Sequence, residues 1–72
     1  MMSYVFSEEL YEKEMGKPKG KHVWTFGDRN KTFFITVGTE DYPLTYNKAK
    51  KVACTELEKL RYPMYKTIYL HS

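Results

Sequence analysis

Three side chains in this sequence are of the types from which catalytic and metal centres are built: Cys54, His22 and His71. A cysteine beside a histidine is the constellation of a thiol nucleophile with its general base, and it works only where a scaffold holds the two within hydrogen-bond reach. Nothing in the spacing signals such a scaffold. Cys54 falls at the margin of a helical apolar stripe, near Lys50 and Arg61, where the plain reading is an incidental thiol. One cysteine cannot close an internal disulfide, and with two histidines it cannot complete a four-ligand zinc site. Glu56 falls close to the buried side of the same helix, where pairing with Lys59 three residues on is a simpler fate than general acid–base work. There is no G-x-S-x-G, no glycine-rich phosphate loop and no histidine pair at metal-ligand spacing. The expectation is a non-enzymatic protein with no cofactor and no metal.

Two other groups of residues suit recognition. Lys17, Lys19, Lys21, Arg29, Lys31, Lys48 and Lys51 would serve a nucleic-acid binder if the fold gathered them on one face, and Lys48 to Lys51 places cations at the end of a helix that the dipole disfavours. The plain alternative is a solvated helix face. Trp24, Phe34, Tyr65 and Tyr69 are the aromatic candidates for protein-binding anchors, since such rings offer large contact area with few rotatable bonds.

The elements that must position these residues follow from the pattern. In residues 1–16, Ser7 can cap a short helix with Glu8 and Glu9 in its first turn, Phe6 and Tyr11 as a hydrophobic staple, Leu10 and Met15 on its apolar edge, and Gly16 as a left-handed stop. Residues 17–21, Lys17-Pro18-Lys19-Gly20-Lys21, read as a basic linker. From residue 22 the period changes to two: His22, Trp24 and Phe26 share one side of a strand, Phe33, Ile35 and Val37 one side of the next, and Gly27-Asp28-Arg29-Asn30 supplies the turn of a β-hairpin. Thr45 caps a helix to about Arg61, with an apolar stripe of Tyr46, Ala49, Val52, Ala53, Leu57 and Leu60. After Pro63, residues Met64 to Leu70 read as a last strand. The class is α+β: a short N-terminal helix, a hairpin, a long helix and a final strand, giving a three-stranded antiparallel sheet with the long helix packed on one face. The other face would carry Thr32, Phe34, Thr36, Tyr65, Thr67 and Tyr69, either covered by the first helix through Leu10 and Met15 or open for binding.

Length and composition bound the rest. The chain has 72 residues, 42% hydrophobic and 17% aromatic, with 12 Lys plus Arg against 9 Asp plus Glu. That is too aromatic for a disordered tail and too short for two cores, so the expectation is one domain over residues 1–72. No apolar run approaches the roughly 20 residues of a membrane-spanning helix, and residues 1–9 lack the pattern of a secretory signal, which makes the expected location cytoplasmic and away from membranes.

Across His22-Val23-Trp24-Thr25-Phe26, Lys31-Thr32-Phe33-Phe34-Ile35-Thr36-Val37 and Thr45-Tyr46-Asn47-Lys48-Ala49, the layout resembles small bacteriophage-encoded inhibitors of host enzymes, such as the phage T7 inhibitor of bacterial RNA polymerase. The resemblance spans about residues 22–70 and carries over no contact residue. It implies a small interaction protein that binds and modulates or inhibits a larger host protein. Thr45 and Ala49 also fit the helix start of arm-type DNA-binding domains of tyrosine recombinases, over residues 22–60, which implies the alternative of a small basic DNA- or RNA-binding domain. A third possibility is a homodimer formed by pairing of strand edges.

Overall fold

The computed structural model describes residues 4–72; the first three residues of the expected N-terminal segment lie outside them. In chain order the elements are β1 (Phe6–Ser7), α1 (Glu9–Met15), β2 (Lys21–His22), β3 (Trp24–Gly27), β4 (Phe34–Val37), β5 (Leu44–Thr45), α2 (Tyr46–Lys59) and β6 (Ile68–His71). The α+β class holds, with two helices, but the sheet differs from the three antiparallel strands expected. It has four strands in the order β1-β6-β3-β4, beside a separate two-stranded ladder of β2 and β5. The added strand is β1, which runs parallel to β6 with Phe6 opposite Ile68. Phe6 does not serve as a local staple for α1: its ring meets Phe26 edge-on at 5.4 Å, and the Ile68 N–H donates to the Val5 carbonyl at 2.8 Å. Burial against the sheet outweighs a staple on a seven-residue helix, which is marginal in water by itself.

The hairpin forms as expected, with Trp24 opposite Val37 and Phe26 opposite Ile35. Strand β6 lies antiparallel on the other side of β3, with Phe26 opposite Leu70. Alternation then sends Trp24, Phe26, Val37, Ile68 and Leu70 to one face, where they are buried. Helix α2 covers that face through Ala49, Ala53 and Leu57, all fully buried. Two alanines in the contact stripe let the helix come close to large aromatic side chains, and Tyr46 stacks on Phe26 at 6.1 Å between ring centres. The expected stripe is too wide at two positions: Val52 and Leu60 are exposed, because Val52 lies on the flank of the helix and Leu60 beyond its last turn. The final strand is shorter than expected, since residues 63–67 form turns with Lys66 N–H donating to the Pro63 carbonyl at 3.3 Å.

Both ends of α2 are closed by local chemistry. The Thr45 side chain accepts from the Lys48 N–H at 3.3 Å, as expected of an N-cap. At the other end Tyr62 N–H donates to Leu57 and Arg61 N–H to Glu58, each at 3.0 Å, while Arg61 takes the left-handed conformation with φ of 57°. This is a Schellman closure with arginine where glycine is at ease. Arg61→Gly is therefore expected to stabilise the protein by about 0.5–1 kcal/mol, a rise in Tm of roughly 3–6 °C on a thermal melt. An unchanged or lowered Tm would show that the arginine side chain contributes more than its backbone costs.

The β3–β4 connection is held by Asp28. Its carboxylate accepts from the Thr32 N–H at 2.7 Å and from the Thr32 hydroxyl, and its carbonyl accepts from the Lys31 N–H at 3.1 Å. The Thr32 hydroxyl is the main reason that the Asp28 carboxyl is held below its ordinary value of 3.8, with backbone N–H groups adding to it. A folded-state pKa below the unfolded one means stability that is present above the unfolded value and lost as pH falls through the folded one. Acidification below about pH 4 is thus expected to loosen this loop, and Asp28→Asn should lower the neutral-pH Tm while flattening its decline in acid.

Candidate functional site

The four aromatic candidates do not form one surface. Trp24, expected as an exposed anchor, is 2% exposed and belongs to the core. Its indole N–H donates to the Leu44 carbonyl at 2.6 Å, and its ring is packed by Tyr11, His22 and Tyr46 at 5.3–5.9 Å. The correction has a plain cause: Trp24 shares the α2-facing side of β3 with Phe26, and a ring of that size contributes most when buried. Phe34 points to the opposite face of the sheet and stays 50% exposed, with its ring edge-on to His71 at 5.5 Å. Tyr69 shares that face but is half-buried, its hydroxyl accepting from Arg29 at 3.2 Å. Tyr65 is 83% exposed and stands in the turn before β6, outside any strand.

That second face is partly closed, by two elements. Helix α1 runs along the end of β6, where Leu10 is half-buried near His71 while Met15 remains 61% exposed. The β3–β4 loop folds over Gly27, and its Asp28 carbonyl lies 2.9 Å from His71 Nε2. His71 is buried as a result, and a carbonyl partner requires Nε2 to carry the proton. His71 projects from the face opposite α2, so the sheet separates it from Cys54; His22 packs on Trp24, and Cys54 lies about two turns along α2 from Tyr46. Neither histidine is brought to the thiol. Among the described residues no group of three His, Cys, Asp or Glu side chains is placed to hold a metal ion.

The fold divides the seven basic candidates. Lys17 and Lys19 are exposed in the linker, and Lys21 is brought beside Thr45 by the β2–β5 ladder, which sets it next to the first turn of α2 and Lys48. Lys51 is exposed farther along that helix. Arg29 and Lys31 are at the hairpin loop, the other end of β3. Arg29 is engaged there by Glu9 at 3.4 Å and by the Tyr69 hydroxyl, which holds its pKa up further, and its guanidinium stacks over the Tyr69 ring at 5.4 Å.

What pattern reading of the sequence did not find is a groove of about 320 Å³ between the end of α1 and the start of β3. Tyr11 and Met15 of α1 line it together with His22, Val23, Trp24 and Thr25 and with His71 and Ser72 at the end of β6. Met15 and Val23, at 41% exposure, present apolar surface to solvent there. The linker, with Lys17, Lys19 and Lys21, connects α1 to β2. A half-buried bond ties the start of α1 to the start of α2: the Tyr46 hydroxyl donates to Glu8 at 2.7 Å, and burial first, then this carboxylate, pushes the phenol pKa far up. The sequence signal was available in Met15, the linker lysines and Val23, but their convergence depends on α1 folding back along β6. No helix among the described residues is long and apolar enough to cross a membrane. No family model matches the chain, and neither a curated protein nor a solved structure is significantly similar to it.

Proposed function

We propose that the chain is a non-enzymatic interaction protein that binds and modulates a larger host protein, taking an acidic, apolar-anchored segment of that protein into the groove between α1 and β3. The observation that carries this reading is the exposed apolar surface of Met15 and Val23 in the groove beside Tyr11 and Trp24, with Lys17, Lys19 and Lys21 in the chain that joins α1 to β2. Apolar anchors in such a groove supply affinity, and the surrounding cations select an acidic partner and speed its encounter. Met15→Glu and Val23→Glu change exposed side chains, so both variants are expected to keep the wild-type circular dichroism melt. Each is expected to lose about tenfold or more in capture of the partner from lysate by tagged protein. Undiminished capture by both would place the binding surface elsewhere.

A second reading has one observation in its favour, the approach of Lys21 to the start of α2 and Lys48 through the β2–β5 ladder. A nucleic-acid backbone at this end of the molecule would give binding that falls steeply with salt and material that is released by nuclease. Binding that held from low to high ionic strength would exclude it.

A further inference from the structure

We infer that residues 8–20, which include α1, form a strap that opens as one unit while the sheet and α2 stay folded, and that the hydrogen bond from Tyr46 to Glu8 is its latch. The inference deepens the reading of the groove, because the closed strap supplies Tyr11 and Met15 to it. Only its bearing on a partner rests on that reading; the opening is a property of the chain alone.

The strap is fixed at both ends and lightly held between them. Before it, β1 pairs with β6 and Phe6 packs on Phe26; after it, β2 pairs with β5. Among the described residues no backbone hydrogen bond joins residues 9–20 to another element. Helix α1 has seven residues, of which Leu10 and Tyr11 are half-buried and the others exposed. A helix this short keeps its shape only against a surface. The chain that follows it turns at Gly16 and Gly20, both at positive φ, 79° and 80°, where glycine moves at little steric cost. Opening returns backbone freedom to every residue of the strap and gives up only half-buried contacts, which is the balance of a segment that opens locally.

Three side-chain bonds hold the strap down, and they are unequal. Glu9 meets Arg29 at 3.4 Å, but both side chains are more than half exposed, where an ion pair contributes little. Glu14 accepts from the Ser72 hydroxyl at 2.7 Å, also in an exposed position. The Tyr46 hydroxyl donates to Glu8 at 2.7 Å between two half-buried residues, and a hydrogen bond to a charged acceptor shielded from water is the strong kind. Tyr46 is itself firmly placed. It opens α2, its ring packs on Trp24 and Phe26, and the Lys50 ammonium lies over that ring at 4.9 Å. When the strap opens, Tyr11 leaves the Trp24 ring that it meets at 5.9 Å, and the groove loses Tyr11 and Met15. The groove therefore exists only while the strap is closed.

Native-state hydrogen exchange of the full chain, read by NMR, tests this. The Glu12 and Gly16 amides, which donate to the Glu8 and Glu12 carbonyls at 2.8 and 3.1 Å, report on the strap, and the amides of the β3–β6 ladder report on the body. Both strap amides are expected to share one protection factor, about 100-fold or more below that of the ladder and nearly constant in low urea, where the ladder's falls. Tyr46→Phe keeps the packed ring and removes the latch, so it should speed both strap amides by about tenfold and retain a cooperative melt. Glu8→Ala should do the same, and the double variant no more than the single ones. Arg29→Gln should change them by less than about threefold. Strap amides that match the ladder in protection and in urea dependence would overturn the opening. Unrelated rates at Glu12 and Gly16 would show fraying in place of a unit, and strap exchange untouched by Tyr46→Phe would overturn the latch. A groove that binds nothing leaves all of these outcomes as they are, so the two readings fail separately.

Discussion

Trp24→Ala is expected to remove a large part of the protein's stability at 25 °C. Truncating a buried aromatic costs about 3–5 kcal/mol, and a chain of this length has a total stability of about 4–11 kcal/mol. The loss is compounded because the indole N–H is the hydrogen-bond partner of the Leu44 carbonyl at 2.6 Å, which ties β5 to the core just before α2 begins. Trp24→Phe keeps most of the packing and removes that bond, so it should cost only about 1–2 kcal/mol. Urea unfolding followed by far-ultraviolet circular dichroism reads both variants; fluorescence does not serve, because Trp24 is the sole tryptophan. A Trp24→Ala protein with a wild-type midpoint and lost partner binding would return this residue to the role of anchor.

Gly27→Ala is expected to be nearly as damaging, at about 3 kcal/mol, for a reason unrelated to glycine's backbone freedom. An added Cβ would meet the Phe33 carbonyl oxygen well inside contact distance and lie 3.2 Å from Phe34 Cδ1. The first obstacle is backbone and cannot rotate away. Relief requires the β3–β4 loop to lift off the sheet, which breaks the contact between the Asp28 carbonyl and His71 at 2.9 Å and exposes the second face. Gly16→Ala is the control. Its Cβ would meet nothing within 4 Å, and only its backbone, at φ 79° and ψ −167°, penalises it, by about 1–2 kcal/mol. Thermal melts that rank the two substitutions equally would show that the loop yields more readily than its hydrogen bonds suggest.

The features legible in the sequence are those decided within a few residues of chain. The Thr45 cap, the end of α2 just before Pro63, the stop of α1 at Gly16, though at φ 79° and ψ −167° and not in the left-handed helical conformation expected, and the alternation that sets Phe34 against Ile35 and Val37 were legible, because each depends on hydrogen bonds or side-chain direction within one or two turns or along one strand. The candidate site was less legible. Phe34 and Tyr65 are at the surface, yet Trp24 is inside, and nothing in its immediate neighbours distinguishes a buried tryptophan at a strand start from an exposed one. The basic residues show the same limit: seven cations read as one group, and the fold puts Lys21 beside the start of α2 while engaging Arg29 with Glu9 and Tyr69 at the far end of β3.

What the sequence determined by itself is therefore the two helices, the β3–β4 hairpin and the final strand, and which side of each is apolar. The tertiary structure alone decided that β6 enters between β1 and β3, that Phe6 leaves α1 for the core, and that Met15 and Val23 line one groove. These arrangements join residues up to about sixty positions apart, as Phe6 and Ile68 are. Their cost is loop closure and their return is burial shared among many side chains, so no local window of the sequence contains the balance that selects them.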